Sequence, residues 1–467
     1  MASDSAAANG GNRAAITVCV ILATLMQALD TTIANVALPY MQGSVSASQD
    51  EIDWVLTSYI VAAAIMTPPT GFLASRFGIK RLFLVSVAGF TIVSMLCGAA
   101  QSLTEIVLFR VLQGAFGAAL VPLSQTVLLG AYPRERQGFA MALFGMGVMV
   151  GPVLGPVLGG WLTEYYSWRY VFYINLPIGM GLIVLIMVLL KASKVLSRPH
   201  IDLVGASYFS GAILFLMFGL NLVGESFAGL SLLSAGALLF LSLSFALLFL
   251  RQEKKESKPI LDTVLLKSKP FLAANLLNII MGAGFFGLFA TVPLYATSVH
   301  KLSTLMSGMI LTPRSLGVIC ASVITSFLLK QWGYRRPLML GLGIVSCATI
   351  LLAPGLPLVR IMEIRWGIAE TLAFLILFCG IGAGIANPAA NNACIELMPE
   401  KVATIVGLRG MFRTVGGALG ISLITFILHL SADPGTGFNI IFISFGLALS
   451  SVIPLVFLMP TGQKAWG

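Results

Sequence analysis

The sequence predicts an all-α integral membrane protein: two six-helix bundles plus two extra central helices, fourteen transmembrane helices in all. Three observations carry that prediction. The 467 residues are 58% hydrophobic and only 10% charged, with a mean hydropathy of +0.96, whereas soluble domains run near ~25% charged. Apolar runs of about 20 residues, the length that crosses a hydrocarbon core, recur fourteen times. A segment after the second run also returns, in register, in the second half of the chain.

The first six runs fall at 16–38, 53–74, 81–100, 105–130, 138–163 and 168–190. Two follow at 203–222 and 229–250, and six more at 271–297, 303–329, 336–354, 368–395, 402–429 and 437–459. The first run is too long for a cleaved signal peptide and has no A-x-A site, so it stays as the first span. The repeat sets GFLASRFGIKRLF (71–83) against SFLLKQWGYRRPL (326–338), 255 residues later. A weaker one pairs Pro133 and Gly151 with Pro399 and Gly417. Halves related in this way are the architecture of many secondary transporters. The expected domains are a flexible tail (1–15), an N-terminal six-helix bundle (16–190), a two-helix insert (200–250), a lysine-rich linker (251–269) and a C-terminal six-helix bundle (270–460).

An even number of spans puts both termini on one side, and basic residues say which. With cytoplasmic termini, 20 of the 28 Lys and Arg lie inside, four outside (Arg169, Lys301, Arg360, Arg365) and four within spans. Such an excess marks the cytoplasmic face, so the tail and linker are cytoplasmic. Trp54, Trp161, Tyr165, Tyr166, Trp168 and Tyr170 cluster at outer ends, where an aromatic belt belongs. The net charge of +10 is thus loop asymmetry, and no nucleic-acid partner is expected. The six cysteines sit in or beside apolar runs without a CxxC pair and read as small buried hydrophobes. No Walker loop, HExxH or Cys/His cluster occurs, nor any nucleophile, base and orienter set. The expectation is no enzyme, no metal and no cofactor.

The densest motif is Gly145–Thr163, GMGVMVGPVLGPVLGGWLT. Gly147, Gly151, Gly155 and Gly159 recur every fourth residue, with Pro152 and Pro156 at the same spacing. On a helix this makes a bare stripe that lets another helix approach closely, and the prolines add local kinks. Asp30 stands near the middle of the first span in LMQALDTTIANVALP. An ionisable group at that depth is costly unless paired, hydrated or protonated, so it marks function by default. Arg110, in LFRVLQGAFGAALVP, is the fourth span's only charge below its outer end, and whether it meets Asp30 is open. The second half carries Arg314, Arg409 and Arg413, with no carboxylate well inside a span; Arg314 and Arg413 are equally cavity groups or helix anchors. Asn387 and Asn391 share a helix face and either line a cavity or bridge helices.

These segments also carry a family resemblance. GPVLGPVLGG followed by WLTEYYSWRYVFYINLPIG resembles the antiporter motif and following loop of the fourteen-helix drug:proton antiporters, the EmrB/QacA type of the major facilitator superfamily. LDTTIANVALP resembles that family's first-helix motif, and Arg110, Gln113 and Gly114 match its R-x-x-Q-G. The resemblance covers nearly the whole chain, densely over 16–190. It implies a major facilitator fold and proton-coupled multidrug efflux, an antiport by alternating access driven by the proton gradient at the cell inner membrane. Asp30 and Arg110 are then the proton-coupling residues. Gln27, Asn35, Gln113, Arg314, Asn387, Asn391 and Arg413 are expected to line a substrate cavity. The loop from Gly71 to Arg81 resembles the superfamily signature G-x-L-a-D-R-x-G-R-K, with Gly71, Arg76, Gly78 and Arg81 in place but Ser75 where the family has Asp. Those four and the glycine–proline stripe are the expected gate and packing residues. The implied partners are a small amphipathic substrate, protons, the lipid bilayer and, as for some relatives, a periplasmic adaptor protein. The alternative is a dedicated exporter of a lipid, siderophore or metabolite; a non-transporting membrane protein ranks behind both.

Overall fold

Among the described residues the secondary structure is helical, with no strand. The computed structural model describes residues 10–47, 49–52, 54–133, 136–191, 202–225, 229–255, 268–302, 304–353, 365–397, 399, 402–431 and 433–461. Most of the expected tail and linker lie outside them. Contacts divide the chain into two units, Met1–Asp202 with Met398–Met411, and Leu203–Leu397 with Phe412–Gly467. The first holds α1 (Gly10–Val45), α2 (Gln49–Ile52), α3 (Trp54–Met66), α4 (Thr70–Phe77), α5 (Ile79–Ala99), α6 (Leu103–Gly117), α7 (Leu120–Ala131), α8 (Gln137–Tyr165), α9 (Tyr170–Tyr173) and α10 (Asn175–Leu189). The second begins with α11 (Leu203–Glu225), α12 (Gly229–Glu253), α13 (Lys269–Ser298), α14 (Thr304–Met309), α15 (Thr312–Trp332), α16 (Arg335–Leu351) and α17 (Ile368–Leu397). Helix α18 (Val402–Leu430) starts in the first unit and ends in the second, which closes with α19 (Pro434–Ser451) and a 3-10 helix, Ile453–Leu458.

Among the described residues ten helical segments are long and apolar enough to cross a bilayer, or eleven if the bent pair α3 and α4 counts as one span. That pair turns by 58° at Thr67, Pro68 and Pro69, where prolines remove backbone donors and obstruct the preceding turn. The other three expected runs are helical too, as α8, α11 and α16. The chain is a multi-pass membrane protein; the count of fourteen spans rests on hydropathy alone. The expected insert, α11 and α12, falls in the second unit, where the Ser422 hydroxyl of α18 donates to the Leu220 carbonyl at 2.6 Å.

The internal repeat has a geometric counterpart. Gly78 (φ 84°) joins α4 to α5, and Gly333 (φ 64°), 255 residues on, joins α15 to α16. Both need a positive φ that a side chain resists. The basic residues that follow do the same job in each unit. Lys80 donates to the Met187 carbonyl near the end of α10 at 2.7 Å, and Arg335 reaches the Met459 carbonyl at 2.8 and 3.0 Å. A cation on the last carbonyls of a helix also opposes its dipole. Gly78→Ala is expected to cost about 1–3 kcal/mol through backbone strain, read as a lower unfolding temperature in detergent.

Inside the first unit α1 lies against α8, and the glycine stripe is the contact surface. A Cβ on Gly151 would sit 2.5 Å from the Ala28 Cβ, and one on Gly159 would sit 3.2 Å from the Ile33 carbonyl oxygen. Gly147 faces Ile21 and Gly155 faces Thr32 equally closely, and the Thr32 hydroxyl lies 3.3 Å from the Gly151 carbonyl. Helix α8 runs as one element through Pro152 and Pro156. An apolar cluster that includes Leu29, Ile33, Met41, Val55, Val93, Ile106, Leu162 and Phe172 packs around α1. Trp161, Tyr165, Tyr166 and Tyr170 are exposed as a belt requires, but Trp168 is buried, with the Arg169 guanidinium 4.6 Å from its ring centre. Arg169 also holds the Gly98 and Ala100 carbonyls at the end of α5 at 2.7 and 2.6 Å. Four cysteines are buried as expected, whereas Cys320 and Cys347 are exposed; all six are free.

Candidate functional site

Asp30 sits in the middle of α1, 2% exposed, two residues beyond the Ala28 that packs on Gly151. Its carboxylate meets three side chains from two other helices. Arg110 Nη1 of α6 donates to Oδ2 at 2.6 Å, an ion pair in which both side chains are fully buried. Gln113 Nε2, one turn along α6, donates to Oδ1 at 2.8 Å, and Asn175 Nδ2, at the start of α10, donates to the same oxygen at 3.0 Å. All three donors are N–H groups, so the cage is built for an ionised carboxylate.

Arg110 is held as firmly. Its Nε donates to the Val55 carbonyl of α3 at 3.0 Å, and Nη1 also donates to Gln113 Oε1 at 2.8 Å. The Tyr59 ring centre lies 4.3 Å from its guanidinium carbon and that of Phe172 5.7 Å away, within cation–π reach. Gly114 lets α6 press on α3 here, since a Cβ would strike the Tyr59 carbonyl. The network continues outward: Asn175 Nδ2 donates to Ser94 Oγ at 2.9 Å, and that hydroxyl donates to the Phe172 carbonyl at 2.9 Å. Cys97 Sγ lies 3.5 Å from Gln113 Oε1.

The structure thus brings Asp30 and Arg110 into direct contact and adds Gln113, expected to line a cavity, to their cage. Gln27, one turn before Asp30, is half-buried, and its Oε1 has no hydrogen-bond partner among the described residues. Asn35 is exposed and donates to the Thr31 carbonyl of its own helix at 3.3 Å. In the second unit Arg314 is buried near the start of α15, its backbone against Gly380 of α17. Arg413 of α18 lies 5.6 and 5.9 Å from the Phe285 and Phe286 ring centres. Asn387 and Asn391 share α17, the first half-buried and the second 9% exposed.

In the segment 71–81 a Cβ on Gly71 would strike Thr404, which belongs to the same unit. Arg76 lies 5.8 Å from the Phe77 ring centre and Arg81 is exposed. Ser75, in the family's Asp position, is exposed and donates to the Phe72 carbonyl at 2.7 Å. Asn175, Ser94 and Tyr59 were not foreseen. The sequence signal for Asn175 was a polar residue two positions before a proline inside an apolar run, INLPIG.

A polytopic helical fold with an internal repeat and a caged intramembrane carboxylate has the build of a secondary transporter. The chain belongs to the Major Facilitator Superfamily, whose profile matches residues 20–421, and is a transporter rather than an enzyme. It is 32% identical to the multidrug export protein EmrB of Haemophilus influenzae over 434 residues, covering 90% of this chain and 81% of that one. EmrB of Escherichia coli is 30% identical over 430 residues, covering 89% and 80%. The tetracenomycin C resistance and export protein of Streptomyces glaucescens is 29% identical over 411 residues, covering 87% and 74%. The crystal structure of the human organic anion transporter MFSD10 (TETRAN) matches with a TM-score of 0.69 over 95% of this chain and 99% of its own. At 15% identity that likeness shows the fold alone.

Proposed function

We propose that the protein is a proton-coupled efflux transporter that exports amphipathic small molecules, several drugs among them, by alternating access. The observation that carries the reading is the buried Asp30–Arg110 pair, 2.6 Å apart inside a cage of N–H donors. A buried charge without its partner is expensive. A proton on Asp30 therefore removes what holds Arg110 to α1, while Arg110 itself stays charged. Helix α1 meets α8 through bare glycines at four successive turns, so a small shift of one helix is felt at once by the other. Protonation and helix position are then two readings of one event, as antiport requires.

On this reading the proton gradient drives the cycle without a cofactor, and the substrate enters from the cytoplasm or the inner leaflet. The protein sits in the cytoplasmic (inner) membrane with both termini cytoplasmic, and a periplasmic adaptor is a candidate partner. The export names of the EmrB relatives support the multidrug range. The Streptomyces glaucescens relative, named for a single compound, supports the second reading, export of one dedicated lipid, siderophore or metabolite. A susceptibility panel in an efflux-deficient host separates them. Expression is expected to raise resistance to several unrelated amphipathic compounds; protection against one compound alone selects the second reading, and no protection or accumulation change for any compound contradicts efflux.

A further inference from the structure

We propose that Asn175 is a positioning residue for the proton site: it fixes Asp30 Oδ1 as the carbonyl oxygen, so that an incoming proton lands on Oδ2, the oxygen that Arg110 holds, and weakens that contact. The inference rests on the reading of Asp30 as the proton carrier and deepens it.

The geometry is asymmetric in a way that matters. Oδ1 accepts two amide N–H groups, from Gln113 and Asn175, at 2.8 and 3.0 Å. Oδ2 accepts one, from Arg110 at 2.6 Å. An oxygen with both in-plane positions filled by donors has no room for a proton, so the O–H bond forms on Oδ2. The proton takes the position on Oδ2 that Arg110 leaves free and turns that oxygen from a carboxylate into a hydroxyl oxygen, a far poorer acceptor; Nη1 then keeps only its second acceptor, Gln113 Oε1 at 2.8 Å, at full strength. With a single donor on each oxygen, the proton could go to Oδ1 and leave the ion-pair contact in place. Coupling would then slip.

Asn175 suits this task because its amide cannot turn round. Nδ2 uses one N–H on Asp30 and the other on Ser94 Oγ, which is itself committed to the Phe172 carbonyl. A flipped amide would set its oxygen against the carboxylate. Asn175 and Ser94 are both fully buried, so water does not replace either bond. The charged and titratable groups that face Asp30 from its neighbours among the described residues are Arg110 of α6, Tyr59 of α3 and Cys97 of α5. The facing residues of α8 are the uncharged glycine stripe, and α10 supplies Asn175 itself.

The test is infrared difference spectroscopy of the full chain in lipid on acidification, with transport measured beside it. Wild type is expected to give a carboxylic C=O band that vanishes in Asp30→Asn. In Asn175→Leu, close to isosteric, the C=O loses a donor, so the band moves to higher frequency. Gradient-driven efflux falls about tenfold, the size of one hydrogen bond to a charged group. Ser94→Ala leaves the amide free to turn and is expected to shift the band the same way by less, which keeps the test alive if the first variant does not fold. A band at the wild-type frequency in both variants overturns the role of Asn175 while leaving Asp30 as carrier. A wild-type spectrum without an Asp30-dependent band overturns both.

Discussion

Leucine at Gly151 or Gly155 is expected to abolish transport, by about 100-fold or more, in a protein that still inserts. The physical chain is short. A Cβ at Gly151 already lies 2.5 Å from the Ala28 Cβ, and one at Gly155 falls on the Thr32 side chain. Leucine adds three further carbons, so α1 must move away from α8. Asp30 lies between those two contacts, and displacement by about 1 Å is enough to cost ~100-fold at a site that depends on geometry. Insertion survives because leucine favours the bilayer. Gly145 and Gly160 lie on the same helix with nothing within 4 Å of a Cβ, and leucine there is expected to leave transport near wild type. Equal effects at all four positions would return the stripe to generic helix packing.

Asn at position 30 is expected to cost both coupling and stability. The carboxylate accepts N–H groups on both oxygens. An amide in its place must point its own N–H groups at Arg110 or at the Gln113 and Asn175 donors. Arg110 is left buried beside a neutral group, and breaking a buried pair from one side costs about 3–5 kcal/mol. Efflux against a gradient disappears because the carboxyl that carries the proton is gone. Asp30→Glu keeps a titratable group and is expected to retain part of the activity. The double variant Asp30→Asn with Arg110→Met separates the two losses. Removing both charges is often close to neutral for stability, so its unfolding temperature is expected to recover most of the deficit, with transport still absent. Recovery of transport in the double variant would make the pair structural.

Much of this was legible in the sequence because charges in hydrocarbon are rare. Asp30 and Arg110 announced themselves by depth alone. Gln113 was assigned to a cavity, although its i+3 spacing from Arg110 already put both on one face. The uncharged members of the cage were hidden for a physical reason. Hydroxyls in spans commonly bond the carbonyl one turn back in their own helix, as Thr24, Thr91 and Ser326 do. Nothing local distinguishes them from Ser94, which bonds across to Phe172. The glycine stripe declared that some helix must approach α8, but which helix is a long-range pairing, and α1 is more than 100 residues away. The repeat was readable because Gly78 and Gly333 answer to the same backbone requirement. Trp168 shows the limit of the aromatic rule: it lies among belt residues in sequence yet turns inward beneath Arg169.

If Asp30 couples substrate export to proton movement, the two must stop together when its carboxyl is removed. Purified protein in sealed liposomes, with a pH-sensitive dye and no imposed gradient, tests it when an exported compound is added to the outside. Wild type is expected to move protons in response, in proportion to substrate moved, and Asp30→Asn to move none above empty liposomes. Substrate-driven proton movement by Asp30→Asn at the wild-type rate would contradict the account.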